Sequence, residues 1–192
     1  MGKIPTIIVC GPPVSGKTTL AEQLAKKYRI KHYNTGDLLK EFSRRYGFKP
    51  GGKDWWETTE GLKFAEMRKH DSSIDKAFDK YIISLAKKGN CVMSSWTMPW
   101  LFKGKSIKLW VTASDHIRAE RMVKRDKTSI ASAVKKLKER DEKNYAIYKK
   151  IYGIAFGRDL APFDIILHTD NLGPNPVFQY AVIMINNWLR SH

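Results

Sequence analysis

Residues 11–18 are G-P-P-V-S-G-K-T, which satisfies the pattern G-x-x-x-x-G-K-[ST] in full. Glycines let a backbone turn tightly, so that successive N–H groups point inward at phosphate oxygens. In this pattern the Lys17 ammonium reaches the β- and γ-phosphates of a nucleoside triphosphate, and the Thr18 hydroxyl ligates Mg²⁺. The pattern therefore predicts a phosphate-binding loop (P-loop) for ATP and Mg²⁺, built from Gly11, Pro12, Pro13, Val14, Ser15, Gly16, Lys17, Thr18 and Thr19.

The segments on either side of this loop have the pattern that such a loop requires. Residues 4–10 form an apolar, β-branched run, which is typical of a buried strand. Leu20, Leu24 and Tyr28 recur every four residues and predict a helix, whose N-terminus adds about half a positive charge beside the phosphates. A plain strand-to-helix turn without a ligand is the alternative.

Strand-like and helical segments alternate through the rest of the chain, which predicts an α/β fold in one domain over residues 1–192. The expected architecture has three layers, a five-stranded parallel sheet flanked by helices. Further strands are expected at 30–34, 90–95, 106–113 and 163–168, and helices at 37–46, 74–85, 114–125, 130–152 and 176–189. Asp71 and Ser72 can cap the helix at 74–85, and Ser114 can cap the helix that follows it. The apolar stripe of the longest helix contains Ile130, Val134, Leu137, Tyr145, Tyr148 and Tyr152, with Asp141 among them.

The chain carries 35 Lys and Arg against 19 Asp and Glu, a formal net charge of +16. That balance favours anionic partners, namely phosphorylated small molecules, nucleic acid or a membrane surface, although charge can also serve solubility alone. No apolar stretch approaches the ~20 residues that span a bilayer, so no membrane association is expected. Two isolated cysteines, Cys10 and Cys91, indicate a reducing compartment, and we expect a cytoplasmic protein without an obligate protein partner.

Several basic residues outside the loop have a spacing that suits phosphoryl transfer. Arg118, Arg121 and Arg125 fall on one helical face, where they could neutralise charge on transferring phosphate oxygens. A solvated charged face is the alternative. Arg140 and Asp141 interrupt an apolar stripe, and a charge there should be paired or functional. We interpret them either as phosphate binding by Arg140, steadied by Asp141, or as a structural ion pair.

Four further segments carry a resemblance to a known family. Residues 34–40 (N-T-G-D-L-L-K), 71–75 (D-S-S-I-D), 140–154 and 159–167 (D-L-A-P-F-D-I-I-L) resemble motifs of the nucleoside monophosphate kinases. The similarity is greatest to archaeal-type cytidylate kinases and covers about residues 5–172. It implies phosphoryl transfer from ATP to a nucleoside monophosphate, with CMP or dCMP expected first.

The resemblance also implies two mobile parts and roles for particular residues. An acceptor-binding segment is expected at about 35–88 and a short lid at about 125–130, with Arg121 and Arg125 belonging to the lid. Catalytic roles then fall to Lys17, Arg121, Arg125 and Arg140, and acceptor binding to Thr35, Asp37, Lys40, Arg44, Asp75 and Trp96. Helix capping, surface charge and core packing are the plain alternatives for the acceptor set.

The chain departs from the family pattern after the third strand. Residues 94–100 are S-S-W-T-M-P-W, where the family has an acid that organises the metal's waters and an arginine that contacts the acceptor. Lys40 also stands where arginine is usual. Two other functions therefore remain open: a P-loop kinase for another small acceptor, and an ATP-dependent RNA- or ribosome-binding factor with a kinase-like fold.

Overall fold

A parallel five-stranded sheet forms the centre of the computed structural model, which describes residues 4–52 and 55–191. Its strand order is β2-β3-β1-β4-β5, and every neighbouring pair is parallel. The strands are β1 (Thr6–Cys10), β2 (Lys31–Asn34), β3 (Cys91–Ser94), β4 (Ser106–Thr112) and β5 (Ile165–His168). The predicted α/β fold and all five predicted strands are confirmed.

Helices cover both faces of this sheet. They are α1 (Lys17–Tyr28), α2 (Thr35–Phe42), α3 (Thr59–His70), α4 (Ser72–Lys87), α5 (Met98–Leu101), α6 (Asp115–Asp126), α7 (Ile130–Tyr152) and α8 (Pro174–Ser191), with 3₁₀ turns at Ser43–Tyr46 and Trp55–Glu57. Asp71 caps α4 and Ser114 caps α6, as the sequence predicts. The sequence did not predict α3, because only Gly61 and Phe64 of its twelve residues are buried.

Two apolar layers fix the helices to the sheet. Ile7 and Val9 point to the face covered by α1 and α8, where Leu24 and Ile185 are fully buried. Ile8 points to the opposite face, which is filled by side chains of α2 and α4. Burying each large aliphatic side chain contributes about 1.5–3 kcal/mol, so these layers position the loop after β1 firmly.

The start of α7 differs from the prediction. Ile130 is 47% exposed and Val134 is 46% exposed, so the predicted apolar stripe is wrong at these two positions. The buried residues are instead Ala133 and Leu137, which pack against Ala119 and Met122 of α6. The difference arises because the first half of α7 packs on a neighbouring helix through small side chains and not on the sheet.

Glycine at position 61 is required by the packing of α3. A Cβ atom built there would lie 2.0 Å from the carbonyl oxygen of Trp55, a residue in the cluster with Phe64 and Ile74. Backbone atoms cannot move aside as a flexible side chain can. The packing of α3 on the Trp55 turn and α4 therefore depends on this close contact.

We expect Gly61→Ala to lower the free energy of unfolding by about 1–3 kcal/mol, as overpacking of a core does. The melting temperature should fall by roughly 2–4 °C for each kcal/mol in a chain of this size, measurable by circular dichroism. Gly52→Ala is the control, because a Cβ at Gly52 meets no atom within 4 Å. Equal melting temperatures for both variants would contradict this account.

Candidate active site

The loop between β1 and α1 has the conformation of a phosphate-binding niche. Gly11 has a φ of +154°, and a Cβ there would lie 2.0 Å from the carbonyl oxygen of Val111. Gly16 has a φ of +94° and is the N-cap of α1, so the helix starts directly at Lys17. Ser15 is 1% exposed, and its Oγ has no hydrogen-bond partner among the described residues. A phosphate oxygen would supply that partner.

Lys17 lies at the mouth of this niche. Its Nζ donates a hydrogen bond to the carbonyl oxygen of Pro12 at 3.2 Å and lies 5.4 Å from the ring centroid of Trp96. Burial, together with the smaller effects of the Arg140 and Arg118 charges, lowers the pKa of Lys17 to about 8. The ammonium is thus held close to other positive charges, an arrangement that an anionic ligand would stabilise.

Arg118 joins the loop to α6 and α7. It is 4% exposed, and its guanidinium donates to the carbonyl oxygen of Pro13 at 3.3 Å. The same group donates to Asp115 at 2.6 Å and to Asp141 at 2.5 Å. Asp141 therefore pairs with Arg118, and the interpretation that it also steadies Arg140 stays a prediction. Asp141 points from α7 toward α6, where the buried guanidinium needs a counter-charge.

The other three predicted arginines have different surroundings. Arg121 donates to the carbonyl oxygen of Ser15 at 3.4 Å and to that of Thr169 at 2.6 Å, which places it against the loop. Arg125 forms a surface ion pair with Asp126 at 2.6 Å. Arg140 is exposed, with its charge close enough to lower the pKa of Lys17.

A cavity of about 310 Å³ opens beside the loop and was not predicted from the sequence. Its floor is apolar, formed by Leu20, Leu172 and Val177. The remaining wall residues are Ser15, Gly16, Thr19, Gln23, Arg121, Thr169, Gly173 and Pro174. An apolar cavity of this size next to a triphosphate niche suits the flat ring of a nucleobase. The segment after β5 carries no sequence motif that predicts a cavity. The one available signal was the general rule that ligands bind at the carboxyl ends of parallel strands.

An acidic cluster lies on the acceptor side, between α3, α4 and the end of α7. Asp75 is 4% exposed; its Oδ1 accepts from Arg68 at 2.5 Å, while its Oδ2 has no partner among the described residues. Tyr152 donates its hydroxyl to Asp79 at 2.8 Å, and burial raises the pKa of Asp79 to about 6. Sequence reasoning found Asp75 but missed Arg68, Asp79 and Tyr152, because their partners lie on separate helices.

Trp96 forms the boundary between Lys17 and the aromatic residues of the acceptor side. Its ring stacks on Phe156 with centroids 5.2 Å apart and an interplanar angle of 16°. Tyr148 lies 5.7 Å away, centroid to centroid, and Tyr152 follows at 6.3 Å from Tyr148. An aromatic row therefore leads from the loop toward the Asp75 and Asp79 carboxylates.

The remaining predicted acceptor residues have mainly local contacts. Thr35 is buried and donates to the carbonyl oxygen of Ser94 at 3.1 Å, so Asn34 and not Thr35 caps α2. Lys40 lies 3.5 Å from Asp37 and donates to the carbonyl oxygen of Gly52. Arg44 forms an exposed ion pair with Glu41 at 2.9 Å, which agrees with the surface-charge alternative.

The residues around Thr18 suit a metal that a phosphate ligand brings with it. Thr18 follows Lys17 in the chain and offers a hydroxyl group. Ser94 lies where the family resemblance predicts an acid, and its Oγ is 2.9 Å from His32 Nε2. Within residues 4–52 and 55–191 there is no group of three His, Cys, Asp or Glu that could hold a metal ion. Mg²⁺ usually keeps several waters and shares substrate phosphates, so one hydroxyl fits this requirement.

Comparisons with known proteins agree with this geometry. The family model described as the cytidylate kinase-like family matches residues 9–171. The cytidylate kinase of Pyrococcus horikoshii is 33% identical over 181 residues, which cover 94% of this chain and 88% of that protein. The cytidylate kinase of Methanocaldococcus jannaschii is 30% identical over 185 residues, with 94% of this chain and 97% of that protein covered.

Solved structures share the fold at low sequence identity. An uncharacterized protein from Eubacterium ventriosum has a TM-score of 0.69 at 16% identity, covering 95% of this chain and 98% of its own. A shikimate kinase from Acinetobacter baumannii has a TM-score of 0.58 at 14% identity, covering 96% and 94%. In the part of the chain that the structure describes, none of the helices has the length and apolar character needed to cross a membrane.

We expect triphosphate affinity to fall as pH rises through about 8, since Lys17 loses its charge there. Below that pH the ammonium is present and binds phosphate; above it the neutral amine does not. The dissociation constant of a non-hydrolysable ATP analogue should rise about tenfold between pH 7 and pH 9, measured by titration calorimetry. The Lys17→Arg variant is the control, because its guanidinium stays charged and its affinity should change little. A wild-type affinity that is constant over this range would contradict the account.

Proposed function

The chain belongs to the cytidylate kinase-like family, and on that basis we propose that it transfers the γ-phosphoryl group of MgATP to CMP or dCMP. The observation that carries the proposal is the meeting of Lys17, Arg118 and Arg121 at one glycine-rich loop beside a cavity of nucleobase size. The identity of the acceptor is inferred from the relatives, which are named cytidylate kinases. The geometry of the loop supports the donor independently of them.

The donor nucleotide would occupy the loop and the cavity beside it. Its base would lie on Leu20 and Val177, with the Arg121 guanidinium at the edge of the cavity. Its β- and γ-phosphates would accept hydrogen bonds from the loop N–H groups and from Ser15 Oγ. This placement gives a partner to a buried hydroxyl that has none within residues 4–52 and 55–191.

Phosphoryl transfer requires positive groups around the γ-phosphate, where charge spreads over the oxygens in the transition state. Lys17 would leave the Pro12 carbonyl oxygen for the γ-phosphate, a short movement for a flexible side chain. Arg121 lies on the loop already, and Arg140 would approach from α7. When bound, Mg²⁺ would neutralise phosphate charge, with Thr18 as its protein ligand.

The acceptor would lie along the aromatic row between Lys17 and the acidic cluster. Trp96 offers a ring face at the start of this row, and stacking on a base is worth about 1–3 kcal/mol. Asp75 Oδ2 needs a donor, and the exocyclic amine of cytosine is one. Thr35, Asp37, Lys40 and Arg44 form the entry to this segment, where Lys40 and Arg44 would hold the acceptor phosphate after leaving their present acidic partners.

Closure of two parts would exclude water from the reaction. We assign these parts to residues 35–88 and to the connection between α6 and α7 at about 125–130, where Arg125 would exchange Asp126 for phosphate. Residues 1–192 would act as one kinase domain. A reducing cytoplasm that contains ATP and CMP suits both this activity and the buried free thiols of Cys10 and Cys91.

The direct test is an acceptor screen with purified protein, MgATP and each nucleoside monophosphate. We expect the diphosphate product to form fastest from CMP or dCMP, measured by nucleotide chromatography. Lys17→Ala should lower the rate by at least about a hundredfold, since one well-placed cation is worth several kcal/mol in phosphoryl transfer. If no monophosphate is phosphorylated, the proposal is wrong. The departure from the family pattern at Trp96 would then favour a kinase for another small acceptor.

A second test concerns the unpaired oxygen of Asp75. In Asp75→Asn the amide presents either a weaker acceptor or an N–H group to the cytosine amine, so the KM for CMP should rise about tenfold or more. The KM for ATP should stay nearly constant, and the preference for CMP over UMP should shrink. Asp71→Asn is the control, because Asp71 is an exposed helix cap. Equal kinetic constants for Asp75→Asn and wild type would remove Asp75 from the acceptor site.

A further inference from the structure

The cavity beside the P-loop is lined by two residues whose buried polar atoms lack a partner. Four buried side-chain nitrogen or oxygen atoms have no hydrogen-bond partner within residues 4–52 and 55–191. Two of the four, Ser15 Oγ and Gln23 Oε1, belong to residues that line this one cavity. Buried polar atoms in proteins are nearly always paired, so a ligand that pairs with both atoms is the simplest account.

The spacing along α1 separates the phosphate end of the cavity from Gln23. Four residues at helical spacing line one side of the cavity, namely Gly16, Thr19, Leu20 and Gln23. The axis of the helix rises about 10 Å between Gly16 and Gln23. This length leaves room for a ribose and a base between the phosphate-binding loop and the Gln23 amide.

Other polar side chains of the cavity are already engaged with the protein. Arg121 donates to Thr169 Oγ1 at 3.0 Å and to the carbonyl oxygens of Thr169 and Ser15. The apolar floor of the cavity offers no polar side chain to a ligand. Gln23 and the exposed Thr19 are therefore the lining side chains that remain for the polar edge of a base.

We propose that Gln23 recognises the 6-amino group of an adenine that occupies this cavity as part of the donor nucleotide. The side-chain oxygen accepts a hydrogen bond from the amine, and the side-chain N–H group donates to the ring nitrogen beside it. Glutamine pairs with adenine in this two-point manner because each presents a donor next to an acceptor. Rotation of the side-chain bonds is enough to turn the amide toward the base. The inference rests on the donor half of the proposed function and not on the identity of the acceptor.

The helix that carries Gln23 is fixed to the core. Leu24, the next residue, is fully buried, and Leu20 is 2% exposed, so α1 packs firmly against the sheet. The same helix begins at Lys17, directly after the phosphate-binding loop. One rigid element therefore sets the distance between the phosphate site and the amide that would bind the base.

The test measures the affinities of three ligands by titration calorimetry, with Mg²⁺ present and without an acceptor. The ligands are ATP, purine riboside triphosphate, which lacks only the 6-amino group, and inorganic tripolyphosphate, which lacks the nucleoside. We expect the wild type to bind ATP about tenfold more tightly than purine riboside triphosphate, because loss of the amine leaves the amide oxygen unpaired. GTP is not used for this comparison, since the amide can turn over and donate to the carbonyl oxygen of guanine.

Gln23→Met removes the amide and keeps an unbranched, flexible side chain. The affinity of this variant for ATP should fall about tenfold, while its affinity for purine riboside triphosphate should change by less than about threefold. The two nucleotides should then bind almost equally, because the amine and the amide act through each other. Tripolyphosphate should bind to Gln23→Met as it binds to the wild type, since the phosphate-binding loop is unchanged.

Gln179→Met is the matched control for this substitution. Gln179 is exposed on α8 and does not line the cavity, so this variant should bind all three ligands like the wild type. Without ligand, the melting temperature of Gln23→Met should equal or exceed that of the wild type, because the lost oxygen is buried and has no partner among the described residues. If Gln23→Met does not fold, the comparison of ATP with purine riboside triphosphate in the wild type decides the question.

Equal affinities of the wild type for ATP and purine riboside triphosphate would overturn the inference. A preference for ATP that persists in Gln23→Met would also overturn it, because a different group would then bind the amine. A lower melting temperature of Gln23→Met would do the same, since the amide would then stabilise the free protein. A wild type that shows the expected preference but phosphorylates no monophosphate would refute the proposed acceptor alone, and one that binds neither ATP nor tripolyphosphate would refute both proposals.

Discussion

The phosphate-binding loop depends on the absence of a side chain at position 11. The chain leaves β1 beside β4, and the backbone of Gly11 passes so close to the Val111 carbonyl oxygen that no Cβ fits between them. This turn directs the following N–H groups into one niche and allows α1 to begin at Lys17. The cavity beside the loop, the contacts of Arg121 and the hydrogen bond of Arg118 to Pro13 all require the loop in this position.

The sequence predicts those parts of the molecule whose causes are local. The loop motif, the five apolar strand segments and the caps at Asp71 and Ser114 each depend on residues a few positions apart, and each is found in the structure. Contacts between helices that are far apart in the sequence do not follow from such local patterns. The partner of Asp141 is 23 residues away, and α3 is held by aromatic contacts to Trp55 and not by a continuous apolar stripe, so neither could be predicted from local pattern.

The departures from the family pattern cluster where donor and acceptor would meet. Ser94 contacts His32, and Trp96 lies against Lys17 and Phe156, in the segment where the resemblance led us to expect an acid and an arginine. Charge is thereby replaced by aromatic surface at this boundary. Among the positive groups near the loop, Lys17 belongs to α1, Arg118 and Arg121 belong to α6, and Arg140 belongs to α7.

The ion pair between Arg118 and Asp141 restricts how the α6–α7 hairpin can move. It ties the first turn of α6 and the middle of α7 to the Pro13 carbonyl oxygen, so a rigid swing of the whole hairpin would have to expose a guanidinium that is now 4% accessible. Bending is therefore confined to the tip beyond this anchor, where Lys127 already has a left-handed backbone. If this tip is the lid that we propose, the reach of its movement would be set by the helix beyond the anchor, which is about two turns of α6 and about three turns of α7.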